Sequence, residues 1–250
     1  MLENLINSSE YHVLDNSSFE PFVYASKMIS LVLALVVVVY AYQFYKTYRS
    51  PVLLGIILSF GFMALADIFM VLALPTLNDP ILFNLFFWLR LFTMAYGFTF
   101  LALSYHHSTK EVGKADVFIL KISALSVIPV FAMLTLTWFS NNSNFPPFII
   151  YDKYFRVYNI CVMGYVFIKS FQYSISHVRK DFIYLPLAYG ILWAGQFSIL
   201  FFTLDGSLSA VVVAFLAKDV GLAIFVIMLH RMSKSKPSFK EGVKTSEGML

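Results

Sequence analysis

Apolar residues along this chain collect in long, unbroken runs separated by short polar stretches. Seven runs stand out, at about residues 22–45, 51–74, 81–105, 117–139, 154–174, 183–204 and 208–230. A helix rises about 1.5 Å per residue, so each run is long enough to cross about 30 Å of hydrocarbon. A membrane β-barrel would show short segments of alternating character, which these are not. A helix also satisfies its own backbone groups where no water can. The pattern predicts an all-α, polytopic membrane protein of seven transmembrane helices. It divides into a polar extracytoplasmic segment (1–21), a transmembrane domain (22–230) and a basic, disordered cytoplasmic tail (231–250).

The first run does not read as a secretory signal. Such a signal opens on a basic stretch with a short apolar core. Here Glu3, Glu10, Asp15 and Glu20 precede a full-length run. Asn78-Asp79-Pro80, the Asn- and Pro-containing stretch 141–147 and Asp205-Gly206-Ser207 supply turn chemistry between runs.

Composition agrees with the pattern. The chain is 59% hydrophobic and 13% charged, against about 25% charged in soluble domains. A mean hydropathy of +0.75 leaves too little polar surface for a water-soluble sphere. The net charge of +4 does not point to nucleic acid, because the basic residues sit in the turns between runs. They also orient the chain. Lys46, Arg49, Lys110, Lys114, Lys121, Lys169, Arg179, Lys180, Arg231, Lys234, Lys236, Lys240 and Lys244 share one side, 13 of the 18 basic residues. Lys27, Lys153 and Arg156 are assigned to the other side, and Arg90 and Lys218 lie inside runs. The positive-inside rule then puts the N-terminus outside and the C-terminus in the cytoplasm of a multi-pass cell-membrane protein. The N-x-S sequons at Asn7, Asn16 and Asn141 all fall on the outer side.

Charges at membrane depth are costly and mark functional candidates. Asp67, Arg90, Lys218 and Asp219 are such charges, and all four lie about 12–18 Å below the outer helix ends. They sum to zero, so mutual pairing in one layer is the cheapest arrangement. Arg90 is expected to pair with Asp67 or Asp219. Ala210, Ala214, Ala217 and Gly221 make a small-residue stripe that lets a neighbouring helix approach and turns Lys218 inward. Thr93, Tyr96, Tyr189, Trp193 and Gln196 are candidate pocket-lining residues. Such a cluster fits either the fixing of helix registry or a working role in ligand binding, proton movement or signal switching.

Other chemistry is excluded by pattern. Cys161 stands alone in an apolar run and reads as a small buried residue. His106, His107, His177 and His230 lie at cytoplasmic helix ends, unsuited to a haem or metal site in the bundle. No catalytic arrangement emerges, and an enzyme is not expected.

Two family resemblances attach to these residues. The stretches SFGFMALADIFMVLA (59–73), FFWLRLFTMAYGFTFLALSYHH (86–107) and LAKDVGLAIFVIML (216–229) resemble the seven-helix sensory input domains of prokaryotic membrane sensors. That resemblance implies a receptor-like role. With no kinase or cyclase segment after the seventh run, output would pass through a separate protein partner. The basic loops and tail would meet anionic lipid headgroups. The second resemblance is to microbial rhodopsins, through Lys218 in the seventh run and Tyr189-Gly190-Ile191-Leu192-Trp193 in the sixth. It implies retinal as a Schiff base on Lys218, in a photoreceptor or ion pump. The chain departs from that family after Arg90, where Leu91-Phe92-Thr93-Met94 holds no carboxylate, and at Ala214, where an Asp is usual. Asp67 or Asp219 would have to serve as counter-ion. A small transporter, or an accessory subunit of a membrane complex, is a third class that fits the pattern.

Overall fold

The computed structural model describes residues 20–76, 79–107, 117, 121, 148–176, 183–205 and 208–234. The predicted fourth run, 117–139, lies outside them apart from residues 117 and 121, as do the segments 1–19 and 235–250. The described residues form six long α-helices: α1 (Glu20–Tyr48), α2 (Pro51–Ala73), α3 (Pro80–His106), α4 (Phe148–Ser176), α5 (Tyr184–Asp205) and α6 (Leu208–Lys234). A 3-10 turn, Leu74–Thr76, follows α2, and no strand occurs among the described residues. All but α4 are long and apolar enough to cross a membrane, as a multi-pass membrane protein requires. Helix α4, at 29 residues, is long enough but carries Asp152, Lys153, Arg156 and Lys169.

Helix ends are set by local chemistry. Arg49 takes φ 48°, the left-handed conformation that closes a helix, and its N–H donates to Tyr45 O at 2.9 Å. Pro51 then opens α2 with a φ already suited to the first turn. At α3, Asp79 caps the helix by accepting from the Ile81 and Leu82 amides at 3.1 and 3.2 Å. Helix α6 runs on past residue 230, the expected start of the tail. There Arg231 donates to Tyr184 Oη at 2.8 Å and holds the last turn to α5.

The helices close into a ring. Helix α1 packs on α2 and α6, and each further helix packs on the next in sequence. Helices α3 and α4 run parallel. Trp88 meets Tyr151 and Phe155, Phe92 meets Phe155, the Thr99 and Tyr158 hydroxyls are 2.7 Å apart, and His106 reaches Tyr165. Outward faces are apolar: Met28, Val32, Leu35 and Val39 follow helical spacing along α1, all about half exposed.

Inside the ring are two principal apolar clusters. The larger holds Ala34, Phe60, Met63, Phe98, Met163, Leu192, Leu222 and Phe225 among others. The second lies toward the end where α1, α3, α4 and α6 begin, with Val23, Met70, Phe87, Leu91, Ile199, Ala214 and Phe215. Cys161 is exposed on α4. The expectation of a buried cysteine fails because the inward face of α4 carries Asp152, Arg156, Asn159 and Met163, and two residues beyond Asn159 turn about 200° away from that face.

Candidate functional site

The two apolar clusters are separated by a polar layer to which every described helix contributes. On α1, Ser26, Lys27 and Ser30 lie between Val23 and Ala34. On α2, Asp67 lies between Met63 and Met70. On α6, Lys218 and Asp219 lie between Phe215 and Leu222. Thr93 on α3, Arg156 and Asn159 on α4 and Gln196 on α5 occupy the equivalent step of their own helices. Polar groups bounded above and below by hydrocarbon must find partners within the layer.

Asp67 is the hub. Its side chain is 4% exposed, and the Lys218 ammonium donates to both of its oxygens, at 2.7 and 2.5 Å. Lys27 reaches the same carboxylate from α1, with Nζ 3.6 Å from Oδ1. That is an ion pair beyond hydrogen-bond length. The Lys27 ammonium also sits over the Phe215 ring, 3.9 Å from its centroid, a cation–π placement. Asp219, half-buried, is served differently. Ser26 donates to one of its oxygens at 3.1 Å and Ser30 to the other at 2.5 Å. Ser26 and Ser30 are one turn apart and flank Lys27, so a single face of α1 meets both carboxylates.

Close helix packing makes this possible. A side chain at Gly195 on α5 would meet Ala217 Cβ at 3.2 Å and Ala214 O at 3.3 Å. One at Gly221 would meet Leu192 at 2.8 Å. Ser198 donates to Ala210 O at 2.8 Å. The small-residue stripe of α6 is therefore the α5–α6 seam, and Lys218 at its edge is buried, pointing into the ring.

Of the residues singled out from sequence, Asp67 and Lys218 are brought into direct contact, and Asp219, next to Lys218 on α6, is held by the serines of α1. Arg90 is half-buried in α3, its guanidinium over Phe87, and its charge reaches Lys27. The Asp67 partners described here are the two lysines. Thr93 is buried and turns back on its own helix, donating to Leu89 O at 2.8 Å and Arg90 O at 3.0 Å. Tyr96 packs among Phe62, Phe92 and Phe100. Tyr189 is fully buried, edge-on to Tyr105 and Phe225 in the larger apolar cluster. Trp193 lies at the α4–α5 seam, stacked on Phe167, close to the Gly164 backbone and donating to Ile160 O at 2.9 Å. Tyr96, Tyr189 and Trp193 thus pack in other parts of the fold, and none has the charge layer as its described contact.

Two buried groups escaped the sequence reading. Lys27, assigned to the outer surface, is inside the ring. It lies seven residues into α1, and its burial follows from meeting Asp67. Arg156, also assigned outside, pairs with Asp152 one turn earlier, the two side chains 6% and 1% exposed. The Asp-x-x-x-Arg spacing was the available signal. Among the described residues no three His, Cys, Asp or Glu side chains group as a metal site would need.

No protein-family model matches the chain, and neither a curated protein nor a solved structure does.

Proposed function

We propose that this is a seven-helix, receptor-like membrane protein whose ligand or switch site is the layer built on Lys27, Asp67, Lys218 and Asp219. The observation that carries this reading is one carboxylate shared by two lysines from different helices. Asp67 holds Lys218 closely and Lys27 loosely. A ligand that binds one pairing better than the other would shift α1 and α6 relative to α2. Packed interfaces of this kind respond in discrete steps.

The seven-span topology is supported by the parallel course of α3 and α4. Both begin at the same end of the ring, so the chain between His106 and Phe148 has to return across it. The only long apolar run there is 117–139. Orientation is supported by the opposite end. There Lys46, Arg49, Lys169 and Arg231 lie against Tyr42, Tyr45, Tyr165 and Tyr184. Tyrosine-backed cations suit a cytoplasmic headgroup layer with anionic lipid in the cell membrane. Output would pass through a separate protein partner.

The test is thermal stability of the purified protein against candidate small and lipidic ligands. A ligand of the site raises the melting temperature, and Asp67→Asn removes the rise. A rise that survives in folded Asp67→Asn would move the site elsewhere.

A retinal-binding photoreceptor or pump is the second reading. What favours it is Asp67 placed directly on Lys218, where a Schiff-base counter-ion would be needed. The position of Trp193 at the α4–α5 seam gives it no such support. A red-shifted visible band after incubation with all-trans retinal, lost in Lys218→Ala, would establish it. No band in a monodisperse sample would remove it.

A further inference from the structure

We propose that the charge layer is an anion site whose principal ligand-binding group is Lys27. The inference rests on the ligand-site reading above and names the ligand class. Both oxygens of Asp67 are taken by Lys218. Both oxygens of Asp219 are taken, one by Ser26 and one by Ser30. Each of the four carboxylate oxygens therefore already has a donor, while Asn159 Oδ1 in the same layer is buried without one among the described residues.

Lys27 has no hydrogen-bond partner of this kind among the described residues. An ammonium carries three N–H donors. Lys27 is 4% exposed, yet among the described residues it makes no hydrogen bond. It has only the 3.6 Å ion pair with Asp67 and the face of Phe215. A ring face offers its quadrupole but no lone pair. Buried donors left without acceptors are costly, so what completes this site must bring acceptor atoms. Lys27 feels the negative fields of Asp67 and Asp219 and the positive fields of Lys218 and Arg90; these are three cations against two carboxylates, which favours an acceptor that is negative. Hydrocarbon on both sides strengthens that attraction and limits the ligand to a small group. A halide and the carboxylate of a small organic acid both meet these demands.

The experiment is melting of the full-length protein in detergent at constant ionic strength, with isethionate, a sulfonate, replaced stepwise by chloride, bromide or acetate. We expect a saturable rise of about 3–5 °C at tenfold saturation. A response to halide alone marks an inorganic anion, and one to acetate alone marks a ligand carboxylate. Lys27→Gln should abolish the response, and Lys27→Arg should keep it. If Lys27→Gln does not fold, anomalous scattering from bromide-soaked crystals replaces it, with a peak expected in contact with Lys27 Nζ. Equal melting in every anion, a response unchanged in folded Lys27→Gln, or no bromide at Lys27 would overturn the proposal and leave water as the acceptor. An Asp67-dependent response to some other ligand would then still support the receptor reading, so the two can fail separately.

Discussion

Lys218 on α6 grips both carboxylate oxygens of Asp67 on α2, across 151 positions of sequence. The pair ties the last described helix to the second, next to the seam where α1 closes the ring. Its value is asymmetric. Forming a buried pair gains little over a well-packed apolar contact, while breaking one strands a charge in hydrocarbon.

That asymmetry gives the first prediction. Asp67→Asn leaves two buried ammonium groups facing an amide and should cost about 3–5 kcal/mol. Adding Lys218→Met to Asp67→Asn should recover part of the loss. A double-mutant cycle on thermal melting checks this, and simple additivity of the two effects would refute the coupling.

Asp219 depends on hydroxyls and not on a cation. Ser30→Ala should therefore destabilise by about 1–2 kcal/mol, in the range of a hydrogen bond to a charged group at a half-buried position. Ser26→Ala, which removes the longer bond, should cost less. The same melting assay orders the two, and an inverted order would mean the 2.5 Å contact is not the stronger one.

Gly55 on α2 faces Ser104 on α3. A Cβ at Gly55 would lie 2.0 Å from Ser104 Oγ and 2.3 Å from its Cβ. Gly55→Ala should cost about 1–3 kcal/mol through overpacking. Combining it with Ser104→Gly removes both clashing atoms and should restore part of the stability, whereas Ser104→Ala should not. Rescue by Ser104→Ala would show that the hydroxyl alone is in the way.

How much of this was legible in the sequence differs by level. Six of the seven apolar runs fall on described helices, with ends that agree to within six residues, because run length alone decides whether a segment can span hydrocarbon. Asp67 and Lys218 were legible as members of one charge layer, because charge at depth demands partners at equal depth; their direct pairing was not, since the partner expected for Asp67 was Arg90. Lys27 was not. The positive-inside count treats every lysine near a helix end as a surface group, and the polar flank Ser26 and Ser30 gave the only hint of an inward face. Tyr189 and Trp193 were misplaced for another reason. A motif on one helix gives depth, but which neighbour each face meets depends on rotation, and that is set by seams such as Gly195 on Ala217.

Orientation yields the last prediction. In a Cys161→Ala background, single cysteines at Arg49 and Ser233 sit at the end of the ring rich in tyrosine-backed cations, and one at Asp79 sits at the opposite end. The charge asymmetry places the first two in the cytoplasm. A membrane-impermeant thiol reagent applied to intact cells should label the Asp79→Cys protein and spare the other two. Permeabilised cells should label all three. Labelling at Arg49→Cys in intact cells would invert the topology. The charge layer, which lies nearer the Asp79 end, would then open toward the cytoplasm, and its ligand would have to be an intracellular one.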